Sequence, residues 1–436
     1  MEKVELSAAE LDEAWRLLSR ADRVEGFTLL PRTEAEEFLL GLSPKDQAEL
    51  ILDLPPAERR LWVRLLEPDD AADLLQAVPL AERESLLGLL DAPTRKEVKA
   101  LAAYAEDEAG GLMNPRFARV RPDMTVDEAI GYLRRQGQRV ETIYYTYVLD
   151  SGQHLLGVAS LRDLFTSRGD LPVRELMETD LVTTTEETDQ EAVSQLFAKH
   201  DLLALPVVDV EGRMKGIVTF DDVADVLEEE ATEDIQKLGG SEALDEPYLQ
   251  IGFLAMLKKR AGWLSALFLG EMLTATAMGF YEKEIARAVL LSVFVPLIIS
   301  SGGNSGSQAS TLVVRALALG EVRLRDWWRV IRRELAAGLA LGALLGTIGV
   351  TRILTWHALF RMYNPHYVLI ALTVGLALVG VVLWGTLAGS MLPFILRRLG
   401  FDPASASAPF VATVVDVTGL IIYFTVASMV LKGTLL

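Results

Sequence analysis

The sequence predicts a multidomain membrane protein. An all-α, solenoid-like N domain covers 1–110, an α/β domain 111–235, a connecting helix 236–262, and an all-α polytopic membrane domain with five transmembrane helices 263–436. Three observations predict this order. Apolar runs long enough to cross a bilayer begin only at Trp263, prolines punctuate the first 110 residues at helix-length intervals, and the stretch between repeats itself. Net charge is −19, which repels nucleic acid and makes divalent cations the natural counterions. There is no cysteine, and the four histidines (His154, His200, His357, His366) lack ligand-like spacing. Hard, oxygen-preferring ions such as Mg²⁺ or Ca²⁺ therefore fit better than zinc or copper. No nucleophile with a base, phosphate loop or metal triad occurs, so no enzyme is expected.

In the N domain, Pro44, Pro55, Pro56, Pro68, Pro79 and Pro93 break short apolar-periodic runs. Several follow a capping or acidic residue, as in Ser43-Pro44 and Glu67-Pro68, and so mark the first turn of a new helix. Glu37, Asp69 and Asp73 read as exposed acids, the last two sharing a helix face at a spacing of four. A solvated acidic face is the plain reading of all three. The chain opens Met1-Glu-Lys-Val-Glu5 without a basic-then-apolar leader, which places the N-terminal half in the cytoplasm as an expectation.

Between 111 and 235, Leu112-Met113 is echoed by Leu176-Met177, Thr125-Val-Asp-Glu-Ala129 by Thr188-Asp-Gln-Glu-Ala192, and Gly157-Val-Ala-Ser-Leu-Arg-Asp163 by Gly216-Ile-Val-Thr-Phe-Asp-Asp222. Each half reads strand, helix, strand, strand, helix, with turns at Ser151-Gly152 and Glu211-Gly212. This pattern resembles a tandem of CBS modules, which implies pairing about a pseudo-twofold axis and clefts for adenine nucleotides. There Asp163 or Asp222 would accept from ribose hydroxyls and Arg162 would face phosphates. The competing reading is structural, because the same Ser or Thr with Asp caps the following helix.

The second repeat runs into Asp221-Asp-Val-Ala-Asp225-Val-Leu-Glu-Glu-Glu230-Ala-Thr-Glu233-Asp234, eight acids in fourteen residues with no base. On one helix these like charges destabilise each other, and a cation is the expected neutraliser. Ordinary surface charge is the alternative. Spans are expected near 263–281, 286–318, 331–355, 367–392 and 407–431. Basic clusters at Lys258-Lys-Arg260, Arg315 through Arg333 and Arg397-Arg398 all face the cytoplasm by the positive-inside rule. That puts the N-terminal domains inside and Leu436 outside, in a multi-pass protein of the inner membrane surrounded by lipid.

Two features of the membrane half point to ions. The run Ser300-Ser-Gly-Gly-Asn304-Ser-Gly306-Ser-Gln308-Ala-Ser-Thr311 reads either as an interrupted helix lining a cavity or as close helix packing by small residues. Asp416, in Pro409-Phe-Val-Ala-Thr413-Val-Val-Asp416-Val-Thr418-Gly419, is a carboxylate well inside the last span, expensive unless it has a task. Glu271 in the first span is a second such acid, able to bond to a neighbouring helix or to take part in ion handling. Two Asp416 carboxylates facing each other in a homodimer would repel until a divalent cation entered between them.

In order, these pieces resemble the MgtE family of bacterial magnesium channels. The shared motifs are Glu106-Asp-Glu-Ala-Gly-Gly-Leu-Met113, Glu141-Thr-Ile-Tyr-Tyr145, Ala231-Thr-Glu-Asp-Ile235, Gly302-Gly-Asn-Ser-Gly-Ser-Gln308 and the Asp416 segment. The resemblance implies a homodimer with its pore on the twofold axis, closed when its cytoplasmic domains bind Mg²⁺. By position it implies Asp416 as the pore carboxylate, with Ala408, Pro409, Ala412, Thr413 and Asn304 lining the pore. It implies Glu37, Asp69 and Asp73 as N-domain metal ligands facing Glu191, Asp201, Asp222, Asp225, Glu230, Glu233 and Asp234, the connecting helix as a plug, and regulatory ATP at Tyr145, Arg162 and Asp163. The chain departs from the family pattern at Ala408, where better-known members carry Asn, and at Leu202, where an aromatic would stack on adenine. A proton- or sodium-coupled carrier and a nucleotide-sensing receptor are the alternatives to a channel.

Overall fold

In the computed structural model, residues 7–435 are described, apart from 138, 245–247, 250, 362 and 364. Met1–Glu5, on which the absence of a leader was read, and Leu436 lie outside the described residues. The chain forms two compact units, 1–228 and 229–436, that meet within the helix Phe220–Leu238.

The first unit opens with short helices from Ala8–Trp15 to Ala92–Leu101. Pro44, Pro56, Pro68 and Pro93 sit in first turns, where the missing N–H has no helical partner to lose, while Pro55 and Pro79 stand just before a helix. Ser7, Ser19, Ser43 and Asp91 cap by accepting a backbone N–H. Alternate helices stack, Arg20–Leu29 on Pro44–Asp53, that on Pro68–Ala77, and that on Ala92–Leu101. Between the rows run Leu39, Ile51, Leu74 and Leu86, with Trp15 edge-on to Phe38 and Phe27 edge-on to Trp62.

The repeat gives two matching three-stranded sheets. β1 (Arg119–Val120) pairs parallel with β2 (Tyr145–Leu149), which pairs antiparallel with β3 (Leu155–Ser160). β4 (Thr184–Thr185), β5 (Ala204–Val208) and β6 (Met214–Thr219) repeat that order, including the register shift near the end of the hairpin. Phe117, Tyr147, Leu149, Met214 and Ile217 form one apolar cluster drawn from both halves.

Five helices of the second unit are long and apolar enough to cross a membrane: Phe253–Phe280, Val289–Ala318, Leu324–Phe360, Tyr367–Arg398 and Ala408–Leu431, hereafter the first to fifth spans. Residues 300–311, read as interrupted or closely packed, lie in the unbroken helix Val295–Ala318. Gly302 and Gly306 there meet Gly385 and Gly389 of the fourth span so closely that a Cβ on Gly306 would stand 2.9 Å from the Gly385 carbonyl. Small residues thus serve backbone contact between helices. Of residues 236–262, expected as a single connecting helix, 236–238 end the helix Phe220–Leu238 and 253–262 begin the first span. The break falls at Gly239-Gly240, where Gly240 has φ +76°, a left-handed conformation that ends helices and favours glycine.

Candidate functional site

The acids on which an ion role was expected fall into three groups, one in the first unit and two in the second. The first forms where the helix Pro68–Ala77 meets the start of Phe220–Leu238 and the segment before β2. Asp69 is buried, not exposed as its sequence setting suggested. Its carboxyl is held well above the usual range by burial first, then by Asp222, Asp70 and Glu141. Burial and Glu67 push Asp70 to about 6, burial and neighbouring acids push Glu141 to about 7, and burial with Asp221 raises Asp222 to about 6 against the Thr219 hydrogen bond. Asp225 is raised too, by burial and by Glu228 and Asp221.

Buried Asn114 ties the group together. Its backbone pairs with Ile217 of β6, and its Nδ2 donates to Asp69 Oδ1 (3.1 Å) and Glu141 Oε2 (2.6 Å). At the edge, Arg116 pairs with Glu97 at 2.8 Å and more loosely with Glu67 at 3.5 Å. Among the described residues no three carboxylates or imidazoles close on one point as a metal cage. The group is a set of desolvated oxygen donors with excess like charge, which suits a hard cation that keeps part of its water shell.

Of the expected ligands, Asp69, Asp222 and Asp225 share this region, and Asp73 is half-buried one turn beyond Asp69. Glu37 is exposed on the helix Arg32–Leu40 and is not among the charges acting most on Asp69, Asp70 or Asp222. Glu191 and Asp201 lie exposed at opposite ends of the helix Gln190–His200, Asp201 with φ +51°. Sequence reasoning did not name Glu67, Asp70, Asn114, Glu141 or Asp221 as ligands. Asp70 adjoins Asp69, and Glu141 heads a motif already noted; those were the available signals.

The second group belongs to the end of Phe220–Leu238. Glu230, Glu233 and Asp234 lie near Asp402, which precedes the fifth span and was not singled out in the sequence. Lys237 Nζ is 2.6 Å from Asp402 Oδ2 and also pairs with Glu233. Burial works against the Lys237 charge, but those two carboxylates hold it protonated. Burial, then Asp402 and Glu230, pushes Asp234 to about 6.

The third group is the fifth span itself, capped at Ser407, whose Oγ accepts from Phe410 N. Ser307 Oγ donates to the Ala408 carbonyl (3.0 Å) and Ser310 Oγ to that of Ala406 (2.7 Å), joining second span to fifth. A Cβ on Gly303 would stand 3.4 Å from Ala412 and 3.5 Å from Asp416 Oδ1, so the glycine face opens directly onto the acid. Asn304, the next residue round that helix, is exposed. Pro409, Ala412, Thr413 and Asp416 are half-buried, and Thr413 Oγ1 bonds back to the Pro409 carbonyl. Among the described residues no hydrogen bond or ion pair reaches the Asp416 carboxylate.

At the expected nucleotide site, Tyr145 opens β2 opposite Ser160 of β3, which brings it beside the helix Leu161–Thr166. Arg162 and Asp163 are exposed on that helix, and Leu202 is half-buried after Asp201 in the other repeat. Ser160 caps the helix Leu161–Thr166 by accepting from Asp163 N, and the hydroxyl-to-Asp hydrogen bond recurs in both halves. Ser160 Oγ donates to Asp163 and Thr219 Oγ1 to Asp222 at 2.6 Å.

A family model described as a divalent cation transporter, MgtE, matches residues 295–426, one for the MgtE intracellular N domain matches 6–107, and one for the CBS domain matches 109–169 and 173–229. The magnesium transporter MgtE of Thermus thermophilus is 46% identical over 344 residues, 79% of this chain and 74% of that one. Its counterpart from Enterococcus faecalis is 35% identical over 336 residues, 77% and 72% of the two chains. A solved cytosolic domain of the Mg²⁺ channel MgtE in complex with ATP is 48% identical, covering 51% of this chain and 91% of that one with a TM-score of 0.48. With the N-domain, CBS and transporter models matching in succession along the sequence, and a magnesium transporter 46% identical over 79% of it, the chain belongs to the MgtE family of magnesium transporters.

Proposed function

We propose that the protein is a homodimeric, Mg²⁺-selective channel for magnesium uptake across the inner membrane, closed from the cytoplasm by the ion it conducts. Asp416 carries this reading. A carboxylate at membrane depth with no hydrogen-bond or ion-pair partner among the described residues is costly unless it meets a cation. Two copies across a twofold axis would present paired carboxylates to a hydrated ion, with the Pro409–Ala412 turn and Thr413 beside them. Mg²⁺ gives up water reluctantly, so contact through its water shell fits a carboxylate flanked by small residues. The relatives named as magnesium transporters support this ion as cargo. With Ala408 where an amide would stand, discrimination among divalent ions rests on Asp416 and backbone carbonyls.

Closure would come from the acids outside the membrane. Asp69, Asp70, Glu141 and Asp222 repel one another when bare and remain together when a divalent cation offsets their charge. Glu37, Asp73, Glu191, Asp201, Asp225, Glu230, Glu233 and Asp234 would extend this sensing surface. For the ion to close its own path it must bind the closed state more tightly than the open one. Regulatory ATP at Tyr145, Arg162 and Asp163 would add a second input. The basic clusters support an orientation with the N-terminal domains in the cytoplasm and the C-terminal end outside.

A second acid within a span, Glu271 of the first, favours one rival, a proton- or sodium-coupled carrier in which one acid takes the coupling ion. Proteoliposomes holding wild type or Asp416→Ala separate the two. Downhill Mg²⁺ flux without a proton or sodium gradient, abolished by Asp416→Ala and suppressed by cytoplasmic-side Mg²⁺, is the channel's signature. Flux only with a second gradient would establish the carrier, and flux undiminished in Asp416→Ala would remove Asp416 from either mechanism.

A further inference from the structure

Serine and threonine inside an apolar helix can return their hydroxyl to a carbonyl one turn back, as Ser301 does to Leu297, Thr311 to Ser307 and Thr425 to Ile421. Two serines of the second span send theirs elsewhere. Ser307 Oγ donates across to the Ala408 carbonyl at 3.0 Å, and Ser310 Oγ to the Ala406 carbonyl at 2.7 Å. By helical spacing both lie on the face that carries Gly303, which meets Ala412 and Asp416. Contact between the two spans is made without these hydroxyls. A Cβ on Gly302 would stand 2.8 Å from Val415 and one on Gly306 2.8 Å from Val411, so the helices already touch at those glycines. What the serines add is the register and rotation of one helix against the other.

They act on the turn that enters the acid-bearing helix. Ala406 precedes the fifth span, so no helical N–H reaches its carbonyl, and among the described residues Ser310 is its donor. Both residues are buried, which leaves that carbonyl dependent on the serine. Ser407 is buried too, and its Oγ accepts from Phe410 N and from Trp263 Nε1, each at 3.3 Å. Ala406, Ser407 and Ala408 are thus each fixed by a side-chain hydrogen bond. Asp416 follows on the same helix, about 12 Å beyond Ala408 at 1.5 Å per residue, and a helix carries any rotation of its first turn to that carboxylate. We propose that Ser307 and Ser310 are positioning residues for ion selection, holding the fifth span so that Asp416 meets a hydrated Mg²⁺ at one fixed depth and angle. This rests on the reading of Asp416 as the carboxylate that meets the ion. Mg²⁺ keeps its waters and demands near-octahedral geometry, whereas Ca²⁺ accepts more oxygens in flexible arrangements. Without the two hydroxyls the helix is free to turn and the Ala406 and Ala408 carbonyls lose their serine donors, and both changes favour Ca²⁺.

The test compares Mg²⁺ and Ca²⁺ flux through the full-length protein in proteoliposomes, each ion under the same gradient and each flux normalised to folded protein. A role in packing alone changes how much protein folds and leaves the ratio of the two fluxes untouched, so the ratio is the readout. Ser307→Ala/Ser310→Ala should lower the Mg²⁺ to Ca²⁺ ratio about tenfold, the scale of one net buried hydrogen bond, through a gain in Ca²⁺ flux. Thr425→Ala, which removes a hydroxyl bonded within its own helix, should leave both fluxes as they are. Should the double variant not fold, Ser307→Ala alone decides the matter. Half-buried Ser307 can be lost without stranding the Ala406 carbonyl, and its removal should lower the ratio roughly threefold. A wild-type ratio in the serine variants, with or without a fall in both fluxes, overturns the proposal. Asp416→Ala measured alongside separates this failure from that of the channel. Flux abolished in Asp416→Ala with an unchanged ratio in the serine variants keeps the pore acid and removes the serines from selection. Flux undiminished in Asp416→Ala overturns the reading of the acid and this proposal together.

Discussion

Asn114 shows how one uncharged side chain organises a charged site. It is fully buried, its backbone is fixed to β6, and its single amide nitrogen serves carboxylates from two different segments, Asp69 and Glu141. Replacing it by Ala leaves both acids buried without their donor, which costs on the order of 1–3 kcal/mol. Asn114→Ala should therefore lower the midpoint of thermal unfolding measured without divalent ions, and Mg²⁺ should recover more stability in the variant than in wild type. Equal Mg²⁺ stabilisation of the two proteins would separate Asn114 from the ion response. Nothing at position 114 in the sequence announced this role. Asp69 and Asp73 were legible as a pair because helical spacing puts them on one face. Their meeting with Glu141 and Asp222 depends on contacts between residues about 70 and 150 positions apart, which no local pattern encodes.

At the scale of elements, legibility followed hydropathy and proline. The helix starts of the first unit and all five apolar helices were readable, since both signals are local. The first span begins at Phe253, ten residues earlier than its apolar run, because Lys258, Lys259 and Arg260 lower hydropathy without interrupting the helix. The small-residue segment of the second span stayed ambiguous because glycines that line a cavity and glycines that allow close packing look alike. Its neighbours resolve the ambiguity. A Cβ on Gly389 would lie inside contact distance of the Gly306 carbonyl, whereas one on Gly279 would meet nothing within 4 Å. Gly389→Ala should destabilise the membrane unit by about 1–3 kcal/mol through overpacking. Gly279→Ala should be neutral or stabilise by about 0.5–1 kcal/mol through helix propensity. Thermal aggregation of the detergent-solubilised variants compares them directly, and equal behaviour would mean the second and fourth spans are not held at backbone contact.

For the whole molecule, protons and divalent cations should be interchangeable at the acid group of the first unit. Asp70 and Asp222 are raised to about 6 from 3.8, and Glu141 to about 7 from 4.5, with burial the largest cause each time. Between about pH 4 and pH 7 the folded group thus binds more protons than the unfolded chain. Stability must then fall as pH rises through that window and level off above it. This is the reverse of the usual salt-bridged carboxylate, since these acids are buried, and beside other acids rather than bases. A divalent cation should supply above pH 7 what protons supply near pH 5. Limited proteolysis of the full-length protein, followed by cleavage around Phe220–Leu238, makes the comparison. Without Mg²⁺, cleavage should be slow at pH 5 and fast at pH 8, and millimolar Mg²⁺ should slow it at pH 8 while changing little at pH 5. If Mg²⁺ protects equally at both pH values, it acts elsewhere, and the acids near Asp402 become the next group to alter. If acid pH speeds cleavage, repulsion among Asp69, Asp70, Glu141 and Asp222 is not what limits the packing of these domains.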